Sequence, residues 1–182
     1  MTTTTVAVRE GTTLRDVVEA LAPLERRAGS SAEREAAEWL VARLREAGAH
    51  DARVGRHFPH LDRERTSFLN VETVGSPELV LMEGEGTVVM EDYCHRPFRD
   101  LVARVAERSG APLRRGMRWR NSSDAVIPSR AGDPTASLAS MNRSKLMSNY
   151  HLMSDTPDNL DFGTVGRAVT VTEAVARELA GH

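Results

Sequence analysis

Segments with helical periodicity alternate with short strand-like segments along this chain, and this alternation limits the fold more than any other feature. Apolar residues recur at helical spacing over residues 14–24, 31–47, 98–108 and 160–180. Between the last three of these segments lie short runs rich in Val, Leu, Thr and Met that end at Gly or Pro turns. The order predicts an α/β fold in which a mixed β-sheet is flanked by helices.

The predicted strands are short, and each is bounded by turn residues. They cover residues 51–54, 66–74, 78–84, 86–92, 113–117 and 135–140. The segment NSSDAVIPSRAGDP is rich in Ser, Asp, Gly and Pro, so we interpret it as a long loop. Residues 55–65 lack clear periodicity, and we interpret them as a second loop.

Size and charge narrow the class of protein. A chain of 182 residues fits one domain and can bury a core, and a formal net charge of −2 disfavours general binding to nucleic acid or to a membrane surface. The single cysteine, Cys94, excludes an internal disulfide and a cysteine-rich zinc site, and we expect it to be a buried or partly buried thiol. No apolar run approaches the ~20 residues of a membrane span, and the first residues lack a signal-peptide core. We therefore expect a cytoplasmic protein.

A basic cluster surrounds Trp119. Its members are Arg114, Arg115, Arg118 and Arg120. Arginine beside an aromatic ring is typical of surfaces that stack and contact single-stranded nucleic acid. The alternative is a strand with a solvated basic face, and we favour it because the chain as a whole is slightly acidic.

Polar groups follow three predicted strands. The segment SNYHLMSDTPDNLD, taken alone, is either the polar rim of a loop or part of a metal site. In open α/β sheets, sites gather where loops leave the carboxyl ends of strands, and carboxylates and histidines are zinc ligands. The candidates are Glu72, Asp124, Tyr150, His151 and Asp155.

Four segments, taken in order, resemble the zinc-dependent aminopeptidases of metallopeptidase family 28, which are co-catalytic di-zinc exopeptidases. AGSSAEREAAEWLVARLREAGA resembles the opening helix of that family, and FLNVETVG resembles the strand that ends in a zinc-binding acid. NSSDAVIPSRAGDPTASLAS resembles the Ser-Asp loop with its following strand. YHLMSDTPDNLD resembles the Tyr-His-x-x-x-Asp-Thr signature, which is the most specific of the four.

The resemblance implies roles for the candidate residues. Glu72 and His151 correspond to ligands of two different zinc ions, and Tyr150 corresponds to the residue that donates to the developing oxyanion. Asp124 and Asp155 correspond to acids that orient loop groups or the histidine, although turn and cap chemistry would also account for them. The implied substrate is a peptide, and the implied reaction is hydrolysis of its N-terminal peptide bond.

Other parts of the family's site have no counterpart. The family uses a His-x-Asp at a strand end, a bridging aspartate and a Glu-Glu pair, yet no two glutamates are adjacent in this chain. His60-Leu61-Asp62 has the first spacing, but Pro59 and charged residues precede it, so we interpret it and nearby His57 as loop residues. The simplest interpretation is that a central catalytic block is missing.

We therefore expect a single peptidase-like domain over residues 1–182, shortened at its centre. Residues 1–54 form the N-terminal helical part, residues 66–182 form the C-terminal half of the family domain, and the junction lies near 55–65. We expect weak or absent zinc binding, no activity of the chain alone, and self-association through an exposed sheet edge. The alternative is a non-catalytic binding or assembly module, or a degenerate remnant.

Overall fold

The computed structural model describes three stretches of the chain, which are residues 13–50, 52–54 and 66–181. The chain divides into two compact units, Met1–His60 and Leu61–His182. Among the described helices, none combines the length and the apolar character that a membrane span requires.

The described residues of the first unit form two helices, α1 (Leu14–Leu21) and α2 (Ser31–Glu46). Thr13 and Ser30 begin them, because each side-chain oxygen accepts a hydrogen bond from a backbone N–H of the first turn. Gly48 follows α2 with φ of 96°, a left-handed conformation that glycine adopts without strain. Both predicted helices are confirmed.

The described part of the second unit contains a five-stranded sheet and three α-helices. In chain order these are β1 (Phe68–Val71), β2 (Glu78–Glu85), β3 (Glu91–Asp92), α3 (Arg96–Arg108), β4 (Arg114–Trp119), α4 (Val126–Arg130), β5 (Thr135–Met141) and α5 (Phe162–Ala180). A short 3₁₀ turn, Pro157–Asn159, precedes α5. The predicted α/β class with a mixed, open sheet flanked by helices is confirmed.

The strands β5 and β2 are the central pair of the sheet. β5 pairs with β1 in parallel and with β2 in antiparallel orientation. β4 pairs in parallel with the other edge of β2, and β3 extends the β5 side beyond Met82, pairing with the end of β2. The carboxyl ends of β1 and β5 therefore lie at the same end of the sheet's strands, and the carboxyl end of β4 lies at the opposite end.

One face of the sheet packs against α3 and α5 and forms the larger apolar core. Each of the two helices contributes one apolar stripe to this core. The buried members are Leu79, Leu81, Ala136 and Leu138 from the strands, Phe98, Val102, Val105, Ala106, Ala168, Val171 and Val175 from the helices, and Ala111 after α3.

The opposite face carries a smaller apolar cluster next to polar side chains. Its buried members are Val80, Met82, Tyr93, Ala125, Ala139 and Met141, and Met117 and Trp119 pack against them partly buried. Because side chains alternate along a strand, Asn70 and Ser137, which are paired in register, share this face. This face carries the polar residues described below.

Three predicted elements differ from the structure. Residues 52–54 form no strand, and the predicted strand 86–92 pairs only over Glu91–Asp92 because Gly86 turns tightly against the carbonyl oxygen of Val89. The predicted loop 121–134 contains α4. Pro128 is tolerated there because it lies in the first turn, where its missing N–H is not needed.

Candidate functional site

Glu72 follows the last residue of β1 and continues its pairing with β5. Its backbone N–H donates to the carbonyl oxygen of Leu138 at 3.0 Å, and the carboxylate oxygen Oε2 lies 3.4 Å from Nδ2 of Asn70. The next residue, Thr73, has φ of 48°, so the chain turns sharply directly after Glu72. The carboxylate is thereby held at the end of a parallel strand pair.

Tyr150 and His151 lie in the segment that follows β5. This segment leaves the sheet at the same end of the strands as Glu72. The ring centroids of the two side chains are 4.0 Å apart with an interplanar angle of 60°, an edge-to-face arrangement. His151 is exposed and has φ of 57°, and the preceding Asn149 has φ of 59°. Asn and His adopt positive φ more readily than most residues other than glycine, and here it places the Tyr-His pair on a tightly turned backbone.

Hydrogen bonds join the segment carrying His151 to the turn that follows Glu72. The N–H of Ser148 donates to Oγ of Ser76 at 2.8 Å, and the N–H of Ser76 donates to Oγ of Ser140 at 2.7 Å. The hydroxyl of Thr73 donates to Sδ of Met147 at 3.2 Å. The structure therefore brings the two segments that carry Glu72 and His151 together.

Asp124 and Asp155 occupy turns. Asp124 is exposed and follows β4. Its loop therefore starts at the end of the strands opposite to the end that carries Glu72. Its carbonyl oxygen accepts from the N–H of Ile127 at 3.3 Å, and the N–H of Asp155 donates to the carbonyl oxygen of Leu152 at 3.0 Å. Asp155 is exposed as well and shares its segment with His151.

The fit of a metal ion depends on how many ligands converge. Within the described residues, no group of three or more His, Cys, Asp and Glu side chains could hold a metal ion. His57, His60 and Asp62 lie outside the described residues.

Cys94 is half-buried, as expected from the sequence, and it makes two hydrogen bonds to neighbouring elements. Its thiol donates to the carbonyl oxygen of Gly132 at 3.3 Å, and its backbone N–H donates to Oγ of Ser129 at 2.9 Å. The two contacts tie the segment before α3 to α4 and to the turn that follows α4.

A polar network lies on the second face of the sheet, and it was not predicted from the sequence. Asn70 lies at its centre, with Nδ2 at 3.1 Å from Oγ of Ser137 and at 3.4 Å from Oγ of Ser123. Ser123 in turn donates to Glu85 from its N–H and from its hydroxyl, both at 2.9 Å. Alternation of polar and apolar residues in FLNVE is the only signal in the sequence, because the partners are distant along the chain.

Tyr93 completes this network. Its side chain is buried, and burial raises the pKa of its phenol above the ordinary value because the charged form would lose its hydration. The neighbouring groups also act on this pKa, which Ser123 and Ser137 lower and Glu85 raises. The phenol remains neutral and can serve as a donor at every physiological pH.

Three of the four arginines around Trp119, namely Arg114, Arg115 and Arg118, are paired with acids on neighbouring elements. Arg118 donates to both carboxylate oxygens of Asp92, at 2.7 and 3.0 Å, and lowers the pKa of that carboxyl. Arg115 contacts Asp100 at 2.6 Å and Glu83 at 2.9 Å, and it lowers the pKa of Asp100. These exposed pairs agree with a solvated strand face, and each contributes little stability.

Comparison of the chain with models of known protein families, with curated proteins and with solved structures found no significant match.

Proposed function

We propose that this chain is a shortened relative of the zinc-dependent aminopeptidases, with a truncated form of their fold, and that it does not hydrolyse peptides on its own. Glu72 and His151 keep one ligand position for each of two zinc ions. Tyr150 keeps the position of the oxyanion donor, and Asp124 and Asp155 keep the positions of orienting acids. Residues 66–182 correspond to the C-terminal half of the family domain.

The observation that supports this proposal most is the placement of Glu72 and His151. The two residues lie far apart in the sequence, yet the segments that carry them leave the sheet at the same end of its strands. The two segments are joined by the hydrogen bond from Ser148 to Ser76. Such an arrangement suits two ligands that face a shared centre, and a chance resemblance of short motifs would not require it.

The chemistry of the retained groups argues against catalysis. Two ligand positions that serve different zinc ions leave each ion with a single protein ligand, whereas catalytic zinc usually has three with an open position for water. The general base of the family has no counterpart, and a missing base alone costs typically ~10²–10⁴-fold in rate. A donor at Tyr150 cannot compensate, because it generates no nucleophile.

A non-catalytic binding module is the second candidate, and one observation favours it. Apolar side chains are exposed in the same segment that carries His151: Leu146 is 64% exposed, Leu152 is 62% exposed and Met153 is 99% exposed. Exposed apolar side chains beside a site are typical of interaction surfaces. A binding function would retain the loop geometry and would need no zinc.

Zinc retention and peptidase activity test the proposal together. We expect less than one zinc per chain after dialysis, and no release of leucine from a leucyl anilide with excess zinc present. His151→Ala and Glu72→Gln should then change neither result.

His95→Ala is the matched control, because His95 is also exposed and has φ of 64°. Stoichiometric zinc with turnover that His151→Ala abolishes and His95→Ala leaves intact would overturn the proposal. That result would make the chain a minimal aminopeptidase.

A further inference from the structure

Glu85 carries a carboxylate in a buried position, where loss of hydration costs free energy. It ends β2 and is only 4% exposed. Both of its oxygens are satisfied by one residue, since Ser123 donates its N–H to Oε2 and its hydroxyl to Oε1, each at 2.9 Å. A buried carboxylate requires such donors, and hydrogen bonds to a charged group are stronger than neutral ones. Glu85 therefore fixes Ser123 firmly.

Ser123 belongs to the loop that joins β4 to α4, residues 120–125. This loop starts at the carboxyl end of β4 and returns over the second face of the sheet, where Ser123 meets Asn70. From Ser123 the network continues to Asn70, whose Nδ2 lies 3.4 Å from Oγ of Ser123 and 3.4 Å from Oε2 of Glu72. An amide carries two N–H donors, and the 3.1 Å contact with Ser137 engages one of them. The other is shared between Ser123 and Glu72.

We infer that Glu85 is a positioning residue. It holds loop 120–125 against the sheet and, through Ser123 and Asn70, determines where the carboxylate of Glu72 lies. The position of the loop follows from these contacts alone. The use made of a positioned Glu72 rests on the proposed function, in which Glu72 keeps a ligand position.

Amide hydrogen exchange tests the first half of this inference on the full chain without zinc. Glu85→Ala removes the acceptor of two donors, and we expect exchange over residues 120–125 to become about tenfold faster or more, as the loss of hydrogen bonds to a charged group predicts. Glu85→Gln keeps one acceptor and adds one donor, so it should restore most of the protection.

Glu78→Gln is the matched control, since Glu78 lies at the other end of the same strand in an exposed ion pair with Arg114. It should leave the loop protected. If Glu85→Ala does not fold, Ser123→Ala provides the same readout, because it keeps Glu85 and removes one donor. Unchanged exchange over residues 120–125 in a folded Glu85 or Ser123 variant would overturn the inference.

The carbon resonance of the Glu72 carboxyl, assigned by its loss in Glu72→Gln, tests the second half. Glu85→Ala and Asn70→Ala should both move it at constant pH, and only Glu85→Ala should also release the loop. A Glu72 resonance that stays fixed while the loop opens would overturn the link through Asn70. These readouts need neither zinc nor substrate, so turnover by the wild-type chain would refute the proposed function and leave this inference standing.

Discussion

Tyr93 shows most directly how burial controls chemistry at the scale of a single residue. Burial holds the pKa of its phenol above the ordinary value of ~10, so the folded chain keeps this proton at a pH where the unfolded chain loses it. Its contribution to stability is complete below pH ~10 and is lost as the pH rises further. We predict that the free energy of unfolding falls above pH 10, by up to about 1.4 kcal/mol per pH unit from this group.

Urea unfolding of the wild type and of Tyr93→Phe between pH 8 and pH 11 measures this effect. The variant should lose about 1 kcal/mol at pH 8, as expected for one hydrogen bond. It should lack the part of the decline that Tyr93 causes, so the two stabilities should converge at high pH. Parallel curves would show that the phenol of Tyr93 ionises as easily in the folded chain as in the unfolded one.

At the scale of an element, α5 depends on the stripe it packs against the sheet. Val171 on this helix is fully buried, whereas Val169 is 50% exposed. We predict that Val171→Ala lowers the free energy of unfolding by roughly 2 kcal/mol, since it removes buried methyl groups and leaves a cavity. Val169→Ala on the same helix should change it by less than about 0.5 kcal/mol. Equal effects in thermal or urea unfolding would contradict the packing described for α5.

At the scale of the whole molecule, the two outer strands of the sheet differ. β4 carries several arginines and is irregular at Gly116, which has φ of 79° and lies where the register with β2 shifts. Charge and irregularity of this kind discourage pairing between sheet edges. β1 contains no charged residue, pairs only with β5 among the described residues, and leaves Val71 43% exposed.

We therefore expect self-association to occur through β1, and light scattering should show species larger than a monomer at high concentration. Val71→Lys places a charge on this edge and should shift the chain towards the monomer. Val88→Lys, at a position that is 86% exposed in the turn before β3, is the control and should not. A wild-type chain that remains monomeric at high concentration would exclude association through this edge.

Most elements were predictable from local patterns. Helical periodicity located α2, α3 and α5, and cap residues such as Ser30 and Gly48 marked where α2 begins and ends. The start of α5 was predicted two residues too early, because Asp161 caps this helix by accepting from the N–H of Thr164 at 2.7 Å. Periodicity does not reveal which of several polar residues makes that bond.

The sequence by itself determined the class of the fold and the residues that could serve as ligands, because periodicity and residue chemistry are local properties. Only the tertiary structure decided their arrangement. The parallel pairing of β1 with β5 places the segments of Glu72 and His151 at one end of the strands. β4 runs in the opposite direction, so the loop of Asp124 starts at the other end. The network of Glu85, Ser123 and Asn70 likewise depends on strand order. Contacts between residues far apart in the chain are set by burial across the whole sheet, so no short segment encodes them.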